Sequence, residues 1–440
     1  MSSDYPLWFI LFFVFLFGSV FGSFLNVCIH RFPKYESTGR FSFFRDAWTQ
    51  IQGVWGRSNC PRCDTEILAR DNIPILGWLM LRGKCRSCKM PISGRYPLVE
   101  LCNGLLFVLV YLFELPSGLE TYWDAQCCVE PELGPQKLGS LWGPTAIVWM
   151  HLRYLFHMVL IEALVVATFI DLETYLIPDG CTMPPLVFAV IASTVLGQMF
   201  LVPVWFASVP NHNTITGLLP DSLAWMVFDF DAIKFARAWP YLHGFLVSFV
   251  GLIVGAGTVI AVRVIGQKVL RKEAMGMGDV TLMAAIGSFI GWQPVVVVFF
   301  LAPLCAMVVV IFASLTGWKK EIPYGPYLSL ATLLLLLFWK QIWPLAHTYF
   351  DLGVGIFFVA IFMCVAMFVL LWIMQIGKRL LGIPLYEEEV VEVGWSSADT
   401  LHYLAGESID EQQGQWKRPG WEGSLSGRGL NQNDVWRNGR

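Results

Sequence analysis

Six residues have the type and spacing to do chemistry. Two are aspartates. Asp171 stands in Phe169-Ile170-Asp171-Leu172-Glu173, with Pro178-Asp179 following, and Asp279 stands in Gly276-Met277-Gly278-Asp279. Both lie where an apolar run meets a polar segment. Two carboxylates brought close cannot both ionise easily, so one keeps a proton while the other stays anionic. Such a pair can hydrolyse a peptide bond. The anionic member takes a proton from water as the water attacks the carbonyl, and the protonated member donates to the carbonyl oxygen. Gly276 and Gly278 suit this chemistry, because residues without a side chain let a substrate backbone approach. Taken singly, an aspartate at the end of an apolar run is more often a solvated cap, and a Gly-x-Gly pair is weaker still.

The other four are Cys60, Cys63, Cys85 and Cys88, two Cys-x-x-Cys pairs separated by twenty-one residues. Two knuckles spaced this way can bring four thiolates into a tetrahedron around zinc. Turn formers flank each pair: Ser58-Asn59 and Pro61 at the first, Gly83-Lys84 at the second. Arg62, Lys84, Arg86 and Lys89 favour the thiolate form. Four cysteine ligands leave no open position, so this zinc would be structural. A redox pair or free thiols is the alternative. The cysteines in or beside apolar runs, Cys28, Cys102, Cys181, Cys305 and Cys364, read as small buried hydrophobes. Cys127 and Cys128 are adjacent and read as unpaired.

These residues must be positioned by membrane spans. The chain has 440 residues, 56% hydrophobic and 14% charged, against about 25% charged in an ordinary soluble domain. Its net charge of -3 gives no case for nucleic-acid binding. The fold class expected is all-α, a polytopic membrane protein of about nine transmembrane helices. Runs of spanning length cover 7–29, 98–114, 146–170, 181–206, 241–264, 292–317, 326–346 and 352–376, and 279–291 is counted as a short ninth. The middles of these spans read as almost free of ionisable groups, which argues against a transporter. The first run lacks the basic start and cleavage site of a signal peptide and reads as retained.

Lys and Arg set the orientation. Segment 30–97 holds twelve of the thirty. Arg263, Lys268, Arg271 and Lys272, then Lys319 and Lys320, then Lys378 and Arg379 follow later spans. With the N-terminus outside, all of these fall inside, and segments 115–145 and 207–240 fall outside. Beyond about residue 385 an acidic run, Glu387 to Glu389, gives way to Gly, Ser, Gln, Asn and Trp without periodicity, which reads as disorder.

At this point the chain resembles the type IV prepilin peptidases, GxGD-type aspartyl proteases that are also N-methyltransferases. Six ordered motifs carry the resemblance: Gly22 to Pro33; the four cysteines; Arg95 to Glu100; Asp171 with Pro178-Asp179; Glu273 to Asp279; and Ile322-Pro323-Tyr324-Gly325-Pro326. The resemblance implies that Asp171 and Asp279 are catalytic, with Glu173, Asp179, Gly276 and Gly278 supporting. It implies prepilin or pseudopilin substrates of type IV pilus or type II secretion systems, whose basic leader is cleaved at the cytoplasmic face. It implies that S-adenosylmethionine then methylates the new N-terminus, and that the enzyme is a multi-pass protein of the bacterial inner membrane, in contact with the lipid bilayer. The domains expected are 1–29, the first transmembrane helix; 30–97, a cytoplasmic zinc-binding loop domain; 98–380, the transmembrane aspartyl peptidase domain; and 381–440, a polar, disordered cytoplasmic tail. No glycine fingerprint for the methyl donor is present, and the zinc loop and Asn26–Arg31 are the places expected to serve methylation. Thr281 departs from the family, which often carries Lys there. The rival readings are a related intramembrane aspartyl protease with another substrate, and a zinc-bearing scaffold without activity.

Overall fold

A computed structural model of the chain describes residues 6–34, 43–60, 62–114, 146–197, 199–205, 232–270, 275–316, 323–350, 355–381, 408–410, 415–417 and 424–425. Cys127, Cys128, Lys319, Lys320, most of segments 115–145 and 207–240, and Glu387 to Glu389 lie outside these residues.

Among them are thirteen α-helices: α1 Leu7–Arg31, α2 Phe43–Val54, α3 Leu76–Met80, α4 Arg95–Glu114, α5 Ala146–Thr174, α6 Asp179–Leu196, α7 Ala232–Ala238, α8 Pro240–Leu270, α9 Met277–Ile290, α10 Trp292–Thr316, α11 Gly325–Leu337, α12 Trp339–Phe350 and α13 Gly355–Leu380. Seven of them, α1, α4, α5, α6, α8, α10 and α13, are long and apolar enough to cross a bilayer. The protein is a multi-pass helical membrane protein. Polar groups are satisfied inside the helices, as hydrocarbon demands, and apolar rings such as Phe12, Phe17 and Phe24 of α1 are left exposed.

The expected span over 326–346 is not one straight helix. It is two helices, α11 and α12, bent by 96° around Phe338. Thirteen residues of α11 rise only about 20 Å, short of a ~30 Å hydrocarbon core. Beyond the bend α12 carries Lys340, Gln341 and His347 among its apolar residues. It joins an aromatic cluster in which Trp339 stacks on Trp343, Trp343 on Phe350, and Phe350 meets Trp292 edge-on at the start of α10. The expected span 181–206 also stops early. Gly197, at φ +69°, closes α6, and the non-helical chain beyond it is tied by Val204, whose N–H donates to His243 Nε2 and whose carbonyl accepts from Trp292 Nε1.

The short apolar helix α9 is the centre of the fold. Every residue from Val280 to Ile290 is buried. Gly251 of α8 and Gly287 of α9 touch backbone to backbone, so that a Cβ on either would strike the other's carbonyl. Small residues at such a crossing let two membrane helices approach closely.

The spans also hold more ionisable groups than expected. Glu114 and His157 form a buried hydrogen-bonded pair at 2.7 Å between α4 and α5. Glu162, midway along α5, accepts a hydrogen bond from Asn103 at 3.2 Å, and Asn103 also donates to the Gly18 carbonyl of α1 at 2.9 Å. These groups contact one another inside the bundle, as ionisable groups in membrane spans usually do.

The chain falls into two compact units, 1–268 with 272–368, and 269–271 with 369–440. The second includes, in the segment read as disordered, three short antiparallel strands, β1 Ser408–Asp410, β2 Gln415–Lys417 and β3 Ser424–Leu425, in the order β1-β2-β3. Ser408 lies opposite Lys417, and Lys417 opposite Ser424.

Candidate active site and metal centre

The two aspartates reach one place from separate helices. Asp171 sits in the last turn of α5 and is buried. The helix stops three residues later, where Tyr175 takes a left-handed backbone at φ +57° and donates its N–H to the Asp171 carbonyl at 2.9 Å. An aromatic residue rarely adopts that conformation, and here it turns the chain sharply toward Pro178, which leads into α6. Asp279 sits in the first turn of α9, and its Oδ2 accepts the N–H of Gly276 at 3.2 Å. A carboxylate there suits the positive end of the helix dipole.

A third segment closes the site. The backbone N–H of Gly325, at the start of α11, donates to Asp171, and Asp279 acts on Asp171 electrostatically across the gap. A Cβ on Gly325 would stand 2.5 Å from Asp171 Oδ2 and 3.0 Å from Ile177 Cδ1. A Cβ on Gly278 would meet Ile177 Cβ at 2.9 Å. Ile177 is therefore wedged between the glycines that flank the two carboxylates. Tyr324 lies within electrostatic reach of Asp279. The glycines serve close approach, as the sequence suggests, but Gly278 and Gly325 face the loop after α5 rather than open space. Tyr324, Gly325 and Ile177 were not expected as site residues. The contiguous Pro-Tyr-Gly-Pro string was the visible signal for Tyr324 and Gly325; Ile177, just before Pro178, had none.

The remaining acidic residues lie to the side. Glu173 forms an ion pair with Arg95, the first residue of α4, and the Arg95 guanidinium lies over the Phe169 ring at 5.3 Å. Asp179, at the start of α6, lies within electrostatic reach of Asp46 of α2. Beside it the Gly180 N–H donates to Gln50 Oε1 at 2.6 Å. The helix α2 was not foreseen in segment 30–97. Thr281 holds α9 to α6: its hydroxyl donates to the Gly278 carbonyl at 3.0 Å and lies 3.4 Å from Thr182 Oγ1.

The four cysteines converge as well. All four sulfurs lie within 4.8 Å of one another, with Cys60–Cys88 at 3.9 Å and Cys63–Cys85 at 4.0 Å. Four thiolates about 2.3 Å from a central zinc would stand about 3.8 Å apart, whereas a disulfide needs about 2.05 Å. The two knuckles repeat one another. Cys60 N–H donates to Thr65 and Cys85 N–H to Met90, Asp64 and Lys89 return to Cys60 and Cys85, and Asp64 and Lys89 both have positive φ. Hydrogen bonds from Thr65 push the Cys63 thiol down to about 6. At Cys88 the Met90 N–H pulls the other way from burial and the neighbouring sulfurs, which together push it up to about 11. Four sulfurs crowded this closely cannot all be anionic without a cation among them.

Asn26 and Arg31, read from the sequence as serving methylation, have structural partners. Asn26 donates to the Tyr96 carbonyl at 3.0 Å, and Arg31 to the carbonyls of Val54 and Arg57 at 2.7 and 3.0 Å.

Fold and site together define a multi-pass helical membrane protein with two aspartates where span ends converge and a separate four-cysteine loop. Residues 16–113 match the bacterial peptidase A24 N-terminal domain, and residues 158–311 match the type IV leader peptidase family. The prepilin leader peptidase/N-methyltransferase of Aeromonas salmonicida is 31% identical over 344 residues, 75% of this chain and 91% of that protein. The type 4 prepilin-like proteins leader peptide-processing enzyme of an Escherichia coli O78:H11 strain is 32% identical over 319 residues, 71% of this chain and 88% of its own length. The prepilin leader peptidase/N-methyltransferase of Pseudomonas aeruginosa is 29% identical over 351 residues, 77% of this chain and 94% of its own. No solved structure matches the chain. The chain belongs to the type IV leader peptidase family.

Proposed function

We propose that this enzyme cleaves the leader from prepilins or pseudopilins with Asp171 and Asp279 as its acid–base pair. The observation that carries this is the convergence of three separate sequence segments on one carboxylate: Asp171, Asp279 and Gly325. The anionic aspartate takes a proton from water, and the water oxygen bonds to the scissile carbonyl carbon. The other aspartate protonates the carbonyl oxygen. As the tetrahedral intermediate collapses, the C–N bond breaks and the leaving nitrogen receives the first proton. The pair sits at a span end, which suits a substrate whose apolar helix begins just beyond its cleavage point. Gly276, Gly278, Tyr324 and Gly325 position the carboxylates. Glu173 and Asp179 shape the flanks.

The cytoplasmic side of the inner membrane is the face on which we place this site, and the excess of Lys and Arg in 30–97 supports it. In the same reading 1–29 is the first transmembrane helix, 30–97 a zinc-bearing loop domain, 98–380 the peptidase domain and 381–440 a separate tail. Cys60, Cys63, Cys85 and Cys88 would hold zinc with no open position, and the ion's role is to fold the loop. The relatives' names carry a second activity, and we extend it here: methyl transfer from S-adenosylmethionine to the new N-terminal amine. The test is incubation of the purified protein with a candidate prepilin, with and without the methyl donor, read by mass spectrometry. Loss of the leader in both samples, with a further 14 Da only when donor is present, is the expected result. An intact prepilin in both would overturn the reading.

A further inference from the structure

The segment between α1 and α4 turns its apolar side chains outward. On α2 the polar Asp46 and Gln50 are buried with Ala47, while Phe44 and Trp48 are 69% and 62% exposed. Trp55, just beyond the helix, is 79% exposed. Positions 44, 48 and 55 share one helical face. On α3 the exposed residues Leu76, Leu79 and Met80 again share a face. In water this arrangement would be inside out.

Both helices are fixed to the ends of spans. Gln50 accepts the Gly180 N–H at the start of α6, and Arg31 at the end of α1 donates to Val54 at the end of α2. The Ile75 N–H, just before α3, donates to Glu100 Oε2 near the start of α4 at 2.7 Å. All three anchors stand near the ends of apolar spans, and at such ends Trp side chains favour the headgroup level. Segment 30–97 holds twelve Lys and Arg against five Asp and Glu, so an anionic surface attracts it.

We propose that this loop domain docks on the bilayer surface. In this arrangement α2 lies in the interface plane with Phe44, Trp48 and Trp55 at the headgroup–acyl boundary, and Leu76, Leu79 and Met80 of α3 add a second foothold. The partner of the face is anionic lipid. Because α2 holds the start of α6 through Gln50, the membrane surface itself fixes the height of the loop that follows Asp171. The inference rests on burial and contacts at span ends and stands apart from the proposed chemistry.

Full-length protein in nanodiscs of phosphatidylethanolamine and phosphatidylglycerol, with and without lipid brominated on its acyl chain, tests it. The chain has 19 tryptophans, so the signal of Trp48 and Trp55 is taken as the fluorescence of wild type minus that of W48F/W55F. Both replacements are at exposed positions and keep an aromatic ring. The expected result is a difference signal that brominated lipid quenches by at least half and aqueous iodide leaves largely intact. A difference signal that iodide quenches and brominated lipid does not would overturn the proposal. So would one shielded from both, which a protein partner or a second copy of the chain would produce.

Discussion

At the scale of single residues the site depends on side chains that are missing. Gly325 donates its N–H to Asp171, and a Cβ there would stand 2.5 Å from the carboxylate oxygen. Gly325→Ala should therefore push Asp171 away from Asp279 without removing either acid. A displacement of about 1 Å costs on the order of 10²-fold in rate, so leader cleavage should fall by about that factor while the protein still extracts and purifies from membranes. Cleavage within threefold of wild type would mean that the carboxylate tolerates the methyl. Both aspartates were legible in the sequence, because each sits in a short string with its own pattern at the edge of an apolar run. Gly325 was legible only as part of a string. Its role arises from a contact between residues 154 positions apart in sequence, and nothing local encodes that. Thr281 could be read only as a missing cation, whereas its hydroxyl ties α9 to α6.

At the scale of elements, the two knuckles fold as near copies, with matching hydrogen bonds and matching positive φ after the second cysteine of each. Purified protein should carry about one zinc per chain. Zinc must displace protons from the thiols, so acidification should release it and alkaline buffer should retain it. Metal content measured after dialysis at a series of pH values checks both statements, and metal-free protein at neutral pH with an ordered loop would refute them. Replacing Cys60 and Cys63 by Ser should abolish metal binding and reduce thermal stability more than peptide cleavage, because the ligands lie in a loop apart from the aspartates. The cysteine spacing made this element legible. The bend at Phe338 was not, because Leu333 to Trp339 is one continuous apolar run across it and the turn is set by the aromatic cluster around Trp343. Helix α2 was hidden for a related reason. Its apolar face points away from the protein, so its periodicity gave no sign of a core.

At the scale of the whole molecule, the contacts sort the span ends into two faces. The end of α5 meets the starts of α4 and α11 through Arg95–Glu173 and Gly325–Asp171. The end of α6 meets the starts of α8 and α10 through Val204. With the N-terminus outside, the orientation suggested by Lys and Arg, the first of these faces is the inner one. Single-cysteine labelling at Glu173 and at Lys89, in a background whose native cysteines are controlled for, should be blocked for an impermeant reagent in intact cells and should proceed in inverted vesicles. Labelling of both from outside would reverse the topology. The buried ionisable groups of the bundle were the part of this scale that composition obscured. Glu114, His157 and Glu162 are few among many apolar residues, and only the packing of α1, α4 and α5 shows that they are paired.

The central claim is that Asp171 and Asp279 work as one pair on a prepilin leader. Its most direct test is the cleavage rate of Asp171→Asn and Asp279→Asn, each purified and assayed on the same prepilin as wild type. Asparagine keeps the size of the side chain and removes its titratable proton, so the zinc content and melting temperature should remain close to wild type. The account predicts that each single variant loses at least about 10²-fold in rate and that the double variant is no worse than the weaker single, as expected for groups acting as a unit. Cleavage near the wild-type rate by either single variant would contradict it.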